Sequence, residues 1–352
     1  MRGYILADIG KTMWSNDVPE PEMGPRDAIV KPVVVSPCTT DLHMINTMPL
    51  PFLKGKPMGH EMAGVVECVG SEVRDFKPGD RVAVPAGLQD WMNLDVQDGL
   101  LKFHDVSAYQ NSDPKVGGVF AERFRAIDAD LNIAHIPENV SWEQAVALTD
   151  MAATAFEAVN VMDIDYGDTV VILGIGAVGL MGVCAAKLKG AARIIGIGSR
   201  PVSIKVAWEY GATDIVSYKD GDVVEQVFAL TGKPVDRVLV CGGASSDVIG
   251  QAMRMIKLGG IVVNLACFFD DQNFVIPGNT IGWGFLDKTL KTVQVRTGRR
   301  FMERLLDLVS YGRLKPELIT TPILHGMDRI PEALEMMGGN NREAIKPVIF
   351  FD

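Results

Sequence analysis

Apolar positions along this chain fall into short, mostly β-branched runs punctuated by glycine, proline and charge. Residues 28–35, 64–69 and 81–84 read as strands, with Lys77-Pro78-Gly79-Asp80 as the clearest turn between them. Ser141-Trp142-Glu143-Gln144 is a capping-box start for a helix that leads toward Asp150. From about residue 154 to 291 the pattern alternates strand and helix, which predicts an α/β doubly wound parallel sheet. Its strands are read at 170–173, 192–198, 214–216, 236–240 and 260–264. A helix over 302–309 and a strand over 346–350 close the chain. Residues 88–118 are polar and irregular, and a loop that long is usually functional or disordered. No internal repeat or low-complexity segment is present.

The run at 170–173 leads into Gly174-Ile175-Gly176-Ala177-Val178-Gly179, which fits G-x-G-x-x-G. Such glycines permit a tight turn, close approach of a pyrophosphate, and close helix–strand packing. The helix N-terminus then offers unpaired N–H groups to the phosphate. Residues 170–186 are uncharged and mostly apolar, but at 17 residues they fall short of the ~20 a membrane span needs. The second strand ends in Gly198-Ser199-Arg200-Pro201. An NAD site usually carries an acid there, on the ribose 2′-hydroxyl. Here there is none. Glycine leaves room for a 2′-phosphate, serine can hydrogen-bond it, and guanidinium can pair with it, so the expected cofactor is NADP(H).

Composition narrows the classes. The 352 residues suggest two domains, and 47% hydrophobic with 22% charged content is globular. A net charge of −10 argues against nucleic acid and acidic membranes as partners. Cys38, Cys68, Cys184, Cys241 and Cys267 are odd in number and scattered. That suggests no disulfide framework and fits a reducing cytoplasm. The first eight residues lack a long apolar core, so no secretory signal is expected.

Three polar positions ask for an explanation: Cys38, His60-Glu61, and Asp150 within the apolar stretch 147–153. A carboxylate in such a setting is costly unless paired or metal-bound. Thiolate, imidazole and carboxylate together suit Zn²⁺, and three protein ligands with an open position describe a catalytic site. Glu61 could close the fourth position at rest. Taken singly, Cys38 reads as a small buried hydrophobe, His60-Glu61 as a surface pair and Asp150 as the partner of an arginine.

Gly59-His60-Glu61-x-x-Gly64-x₅-Gly70-x-x-Val73, followed by Lys77-Pro78-Gly79-Asp80-Arg81-Val82, matches the zinc signature of medium-chain alcohol dehydrogenases. The likeness runs over almost the whole chain. Within the family, the sequence resembles the tetrameric NADP-dependent secondary alcohol dehydrogenases of isopropanol dehydrogenase type, through Pro37-Cys38-Thr39, Tyr210-Gly211-Ala212-Thr213-Asp214 and Ile345-Lys346-Pro347-Val348. It implies a GroES-like catalytic domain over 1–153 that returns over 295–352, with a Rossmann domain inserted over 154–294 and the active site in the cleft. It also implies a homotetramer, one catalytic zinc on Cys38, His60, Asp150 and Glu61, and Tyr218 near the adenosine phosphate. The four clustered cysteines of a structural zinc, found in many relatives, are missing from 88–118. Thr40 stands where the subgroup usually has serine. Its hydroxyl would begin a proton relay through His43, which could also be a structural histidine. Residues 88–118 and 292–296 differ from the subgroup and are expected to border the substrate pocket. The chemistry so implied is hydride transfer between NADP(H) and a secondary alcohol or ketone. A diol, an aldehyde, a bulkier ketone, or zinc-free reduction of a quinone remain open alternatives.

Overall fold

The β-branched runs become strands because each can bury one or both faces. The computed structural model describes residues 1–46, 51–98, 117–242, 247–266, 275–281, 287–338 and 343–351. The chain divides into two units, Met1–Ala153 with Arg296–Asp352, and Thr154–Val295.

In the first unit a seven-stranded sheet runs in the order Thr320–His325, Lys346–Phe350, Ala28–Ser36, Glu61–Val69, Arg81–Val84 and Ala134–His135, with Phe124–Ala126 also paired to Ala28–Ser36. Gly3–Asp8 and Lys11–Ser15 add a separate hairpin. Val30, Val35, Met62, Val82 and Phe120 are fully or almost fully buried in the core behind it. Register matters most at one end. Ser36 pairs with Glu61, so the exit of one strand, two residues before Cys38, lies against the entry of the next, where His60 and Glu61 sit. Lys346–Phe350 flanks Ala28–Ser36 on its other side, and Ser36 Oγ donates to Pro347 O at 2.7 Å. Three stretches remote in sequence are thereby drawn to one corner.

The second unit is a six-stranded parallel sheet in the order Asp214–Val216, Arg193–Ile197, Thr169–Leu173, Val235–Val240, Ile256–Asn264, Thr289–Thr292. All of its pairings are parallel, and Val171, Ile195, Val238 and Val262 are wholly buried. The strand order reverses between Thr169–Leu173 and Val235–Val240. In open α/β sheets, ligands bind in the crevice beyond the carboxyl ends at such a switch point. Ile256–Asn264 starts earlier than its apolar run because Lys257, Leu258 and Gly259 are exposed. Thr289–Thr292 is an edge strand with alternating exposure and no continuous apolar signal.

Residues 170–186 form a strand, a turn and most of the 13-residue helix Ala177–Lys189. Among the described residues no helix is long and apolar enough to cross a membrane. The described cysteines, Cys38, Cys68, Cys184 and Cys241, are free thiols; Cys267 lies outside the described residues.

Candidate functional site

Cys38, His60, Glu61 and Asp150 converge in the first unit, with one ligand atom from each lying within 4.8 Å of all the others. Cys38 precedes the helix Thr39–Asn46, and its N–H donates to Asp41 Oδ2 at 2.7 Å. Asp41 thus fixes the helix entry in the manner of a capping acid. Asp150 arrives differently. The Ser141 capping box forms with both arms, but the α-helix ends at Val146 and a π-turn spans Leu148–Ala152 before Ala153–Val161 resumes. Wide turns of this kind often mark functional sites. Asp150 Oδ2 is 3.5 Å from Cys38 Sγ and 3.3 Å from His60 Nε2.

Burial and charge around these atoms suit a cation. Burial pushes the Cys38 thiol up, against the opposing pull of Lys346. It also pushes the Glu61 carboxyl up to about 8, although Lys346 lies beside it. Burial works against charge on His60, yet the Asp41 and Asp150 carboxylates outweigh it and hold the ring well above the usual imidazole range. Glu61 Oε2 is buried with no hydrogen-bond partner. A thiol, an imidazole and two carboxylates, one of them with an orphaned buried oxygen, fit Zn²⁺ as a ligand set.

Two further groups position this set, and sequence reading missed both. Asp41 is fully buried, and its Oδ1 lies 3.1 Å from His60 Nδ1. That bond leaves Nε2 toward the cluster, the arrangement that orients metal-binding histidines. Lys346 donates from Nζ to Glu61 Oε1 at 2.5 Å and to Pro37 O at 2.8 Å. Thr40 Oγ1 is 3.6 Å from Cys38 Sγ. His43 lies three residues further along the same helix, hence on the same face, and burial lowers its pKa.

The glycine turn occupies the carboxyl end of Thr169–Leu173. Gly174 has φ +100°, and a β-carbon there would stand 2.9 Å from Gly242 N, so glycine is needed on both counts. At Gly179 a β-carbon would fall 1.9 Å from Gly174 O. Gly176 is different. A β-carbon there would meet only Arg200 Nη2, at 3.9 Å, leaving an open face at the N-terminus of Ala177–Lys189. Gly176 is that helix's N-cap and provides no side-chain cap, so N–H groups of the first turn remain for an anion.

Gly198 carries a packing constraint of its own. The space its β-carbon would fill is taken by Ile175, with Cγ1 at 2.3 Å. The glycine therefore answers to packing within the fold, whatever else the loop holds. Beside it, Ser199 Oγ is buried without a partner, and Arg200 is the N-cap of Pro201–Tyr210. Gly198 N–H donates to Val216 O at 3.0 Å, so this loop adjoins the strand end that precedes Tyr218, itself 54% exposed. An orphaned serine hydroxyl, an arginine and an open glycine turn fit a dinucleotide with an added phosphate.

Of the excursion at 88–118, residues 99–116 lie outside the described residues. Its start is ordered by Asn93, which caps the short helix Leu94–Gln97.

Two family models match the chain. One is the alcohol dehydrogenase GroES-like domain, over residues 24–138, and the other is the zinc-binding dehydrogenase, over residues 177–310. The chain is 44% identical over 352 residues to an NADP-dependent isopropanol dehydrogenase of Clostridium beijerinckii, covering 99% of each. It is 43% identical to the enzyme of that name from Thermoanaerobacter brockii, at the same coverage. Among solved structures, alcohol dehydrogenase TADH from Thermus sp. ATN1 matches with TM-score 0.87 over all of both chains. At 24% identity, that likeness speaks for the fold alone.

Proposed function

The chain belongs to the zinc-binding, medium-chain alcohol dehydrogenase family, isopropanol dehydrogenase type, and we propose that it interconverts secondary alcohols and ketones with NADP(H). The observation that carries this reading is the convergence of Cys38, His60, Glu61 and Asp150 beside the Thr40 hydroxyl.

Cys38, His60 and Asp150 would hold the metal, with Glu61 as a fourth ligand at rest. Gly174, Gly176, Gly179, Ser199, Arg200 and Tyr218 would hold the nucleotide, and Gly198 would support their loop through its contact with Ile175. When bound, zinc supplies Lewis-acid polarisation of the alcohol or ketone oxygen, and NADP(H) supplies the hydride acceptor or donor. Thr40 Oγ1 hydrogen-bonds the substrate oxygen; during oxidation it accepts the substrate's proton as its own hydroxyl proton passes on toward His43, and during reduction both transfers reverse. His43 is the next carrier. Because burial lowers its pKa, the ring is neutral near pH 7 and able to accept that proton. Asp41 keeps His60 in one tautomer, and Lys346 keeps Glu61 in place.

The homotetramer belongs to this proposal, on the strength of the family resemblance. A cytoplasmic location rests on the scattered thiols. The test of the metal site is Asp150→Ala. Two strong ligands remain and the core is large, so the variant should fold, lose its zinc, and lose activity in the same proportion. Full zinc content or full activity in the variant would overturn the ligand assignment.

A further inference from the structure

Asp41 meets the ring of His60, but the backbone that carries the ring is held by other groups. Residues 57–60 are all buried, and the polar groups of such a turn must be paired inside the protein. Three consecutive carbonyls find their partners in one stretch. Gly118 N–H donates to Pro57 O at 2.8 Å, Phe120 N–H to Met58 O at 2.8 Å, and Val119 N–H to Gly59 O at 3.1 Å. Tyr4 ties the two stretches together, since Met58 N–H donates to Tyr4 O at 2.9 Å and Tyr4 N–H to Phe120 O at 2.8 Å. The stretches also fit by shape. A β-carbon at Gly118 would stand 2.3 Å from both Met58 O and Gly59 O. Gly59 has φ +87°, and a β-carbon there would fall 2.4 Å from Phe120 Cδ1 and 2.6 Å from Cε1. Phe120 is wholly buried, and a ring in a close-packed core does not yield cheaply. It therefore bears directly on the backbone one residue before His60.

We propose that Phe120 is a positioning residue for the metal: its ring, with the amides of residues 118–120, holds the 57–59 turn, and so His60, in place and sets how slowly zinc is lost. The proposal rests on the zinc-site reading above. Asp41 fixes the tautomer and orientation of the imidazole, while the turn fixes where the side chain starts. Metal–ligand distances hold to within about 0.2 Å, so slack in the backbone next to His60 loosens its bond to the metal.

The experiment follows release of zinc from the zinc-loaded enzyme to an excess of a chromogenic chelator. It compares wild type, Phe120→Leu, Gly59→Ala, their combination, and Phe76→Leu. Phe76 is the control, because it is buried in the same core but stacks on His135. Phe120→Leu should release zinc about 10-fold faster, the low end for groups that support a ligand. Phe76→Leu should stay within about 2-fold of wild type, since its contacts lie elsewhere. Gly59→Ala presses a methyl on the ring and should also speed release. The double variant should release zinc no faster than Gly59→Ala, because the smaller side chain leaves room for that methyl. Hydrogen exchange gives a readout without metal release: the Val119 and Phe120 amides should exchange faster in Phe120→Leu, with Thr39–Asn46 unchanged. Equal acceleration in Phe120→Leu and Phe76→Leu would mean that zinc loss follows stability alone, and would overturn the proposal. So would additive effects in the double variant, or unchanged exchange. If Phe120→Leu fails to fold, Gly59→Ala decides alone, and release at the wild-type rate would overturn the proposal. A wild type that binds no zinc would overturn the zinc-site reading. A zinc-bound wild type with unchanged release in Phe120→Leu would overturn the positioning role only.

Discussion

Thr40 is the residue on which proton transfer turns, and its chemistry is separable from its shape. Thr40→Ser keeps the hydroxyl and should keep most of the turnover. Thr40→Val keeps the volume but not the oxygen, and should lose at least ~10²-fold in kcat, the scale of general acid–base assistance. Zinc content should be equal in both. Near-normal kcat in Thr40→Val would mean that the proton leaves by another route. Residue by residue, the sequence exposed the chemistry of Cys38, His60 and Asp150 but not the groups that orient them. Asp41 looks like an ordinary acid in a first helical turn until its second oxygen is found on His60. Lys346 is separated from Glu61 by 285 positions, and no local pattern links them. Gly198 was legible as a required glycine, and a reason the sequence did not show is Ile175, an apolar side chain within the glycine turn. An aspartate at 198 would press on Ile175 as well as repel a phosphate, so Gly198→Asp is not a clean cofactor switch.

At the scale of elements, strands carried by β-branched runs were readable and those without one were not, including the largely buried Gly3–Asp8 and Phe124–Ala126. Arg81–Val84, Asp214–Val216 and Lys346–Phe350 announce themselves by β-branched runs. Lys11–Ser15 and Thr289–Thr292 are each half exposed, so their apolar signal is diluted and pairing with a neighbour defines them. The capping box at Ser141 was legible in full, whereas the π-turn that follows was not. One extra residue per turn has no compositional signature, yet it separates the helix that Ser141 starts from the turn that carries Asp150. That separation has a consequence. Ser141→Ala removes the cap bond to Gln144 N and should cost about 1 kcal/mol, a fall in Tm of roughly 2 °C for a chain of this size. Zinc content and KM should not change, as calorimetry with metal analysis can check. A loss of zinc would show that the cap, and not the turn alone, places Asp150.

At the scale of the whole molecule, the account assigns the metal and the proton relay to one unit and the nucleotide to the other. The alternation of strand and helix over the second unit, and its glycine turn, were readable because a βαβ unit is local in sequence. The first unit was harder to read, because its sheet joins Ala28–Ser36 to Lys346–Phe350, at opposite ends of the chain. The rate of hydride transfer depends on both units, so one comparison samples the entire account. It is kcat/KM of the zinc-loaded enzyme for NADP and for NAD, with one fixed secondary alcohol, in wild type and in Arg200→Ala. A charge-assisted hydrogen bond contributes about 1.5–3 kcal/mol. Wild type should prefer NADP. Arg200→Ala should lose roughly 10- to 100-fold with NADP and almost nothing with NAD. Absence of turnover with any secondary alcohol, a wild type that already prefers NAD, or an unchanged ratio in Arg200→Ala would contradict the account.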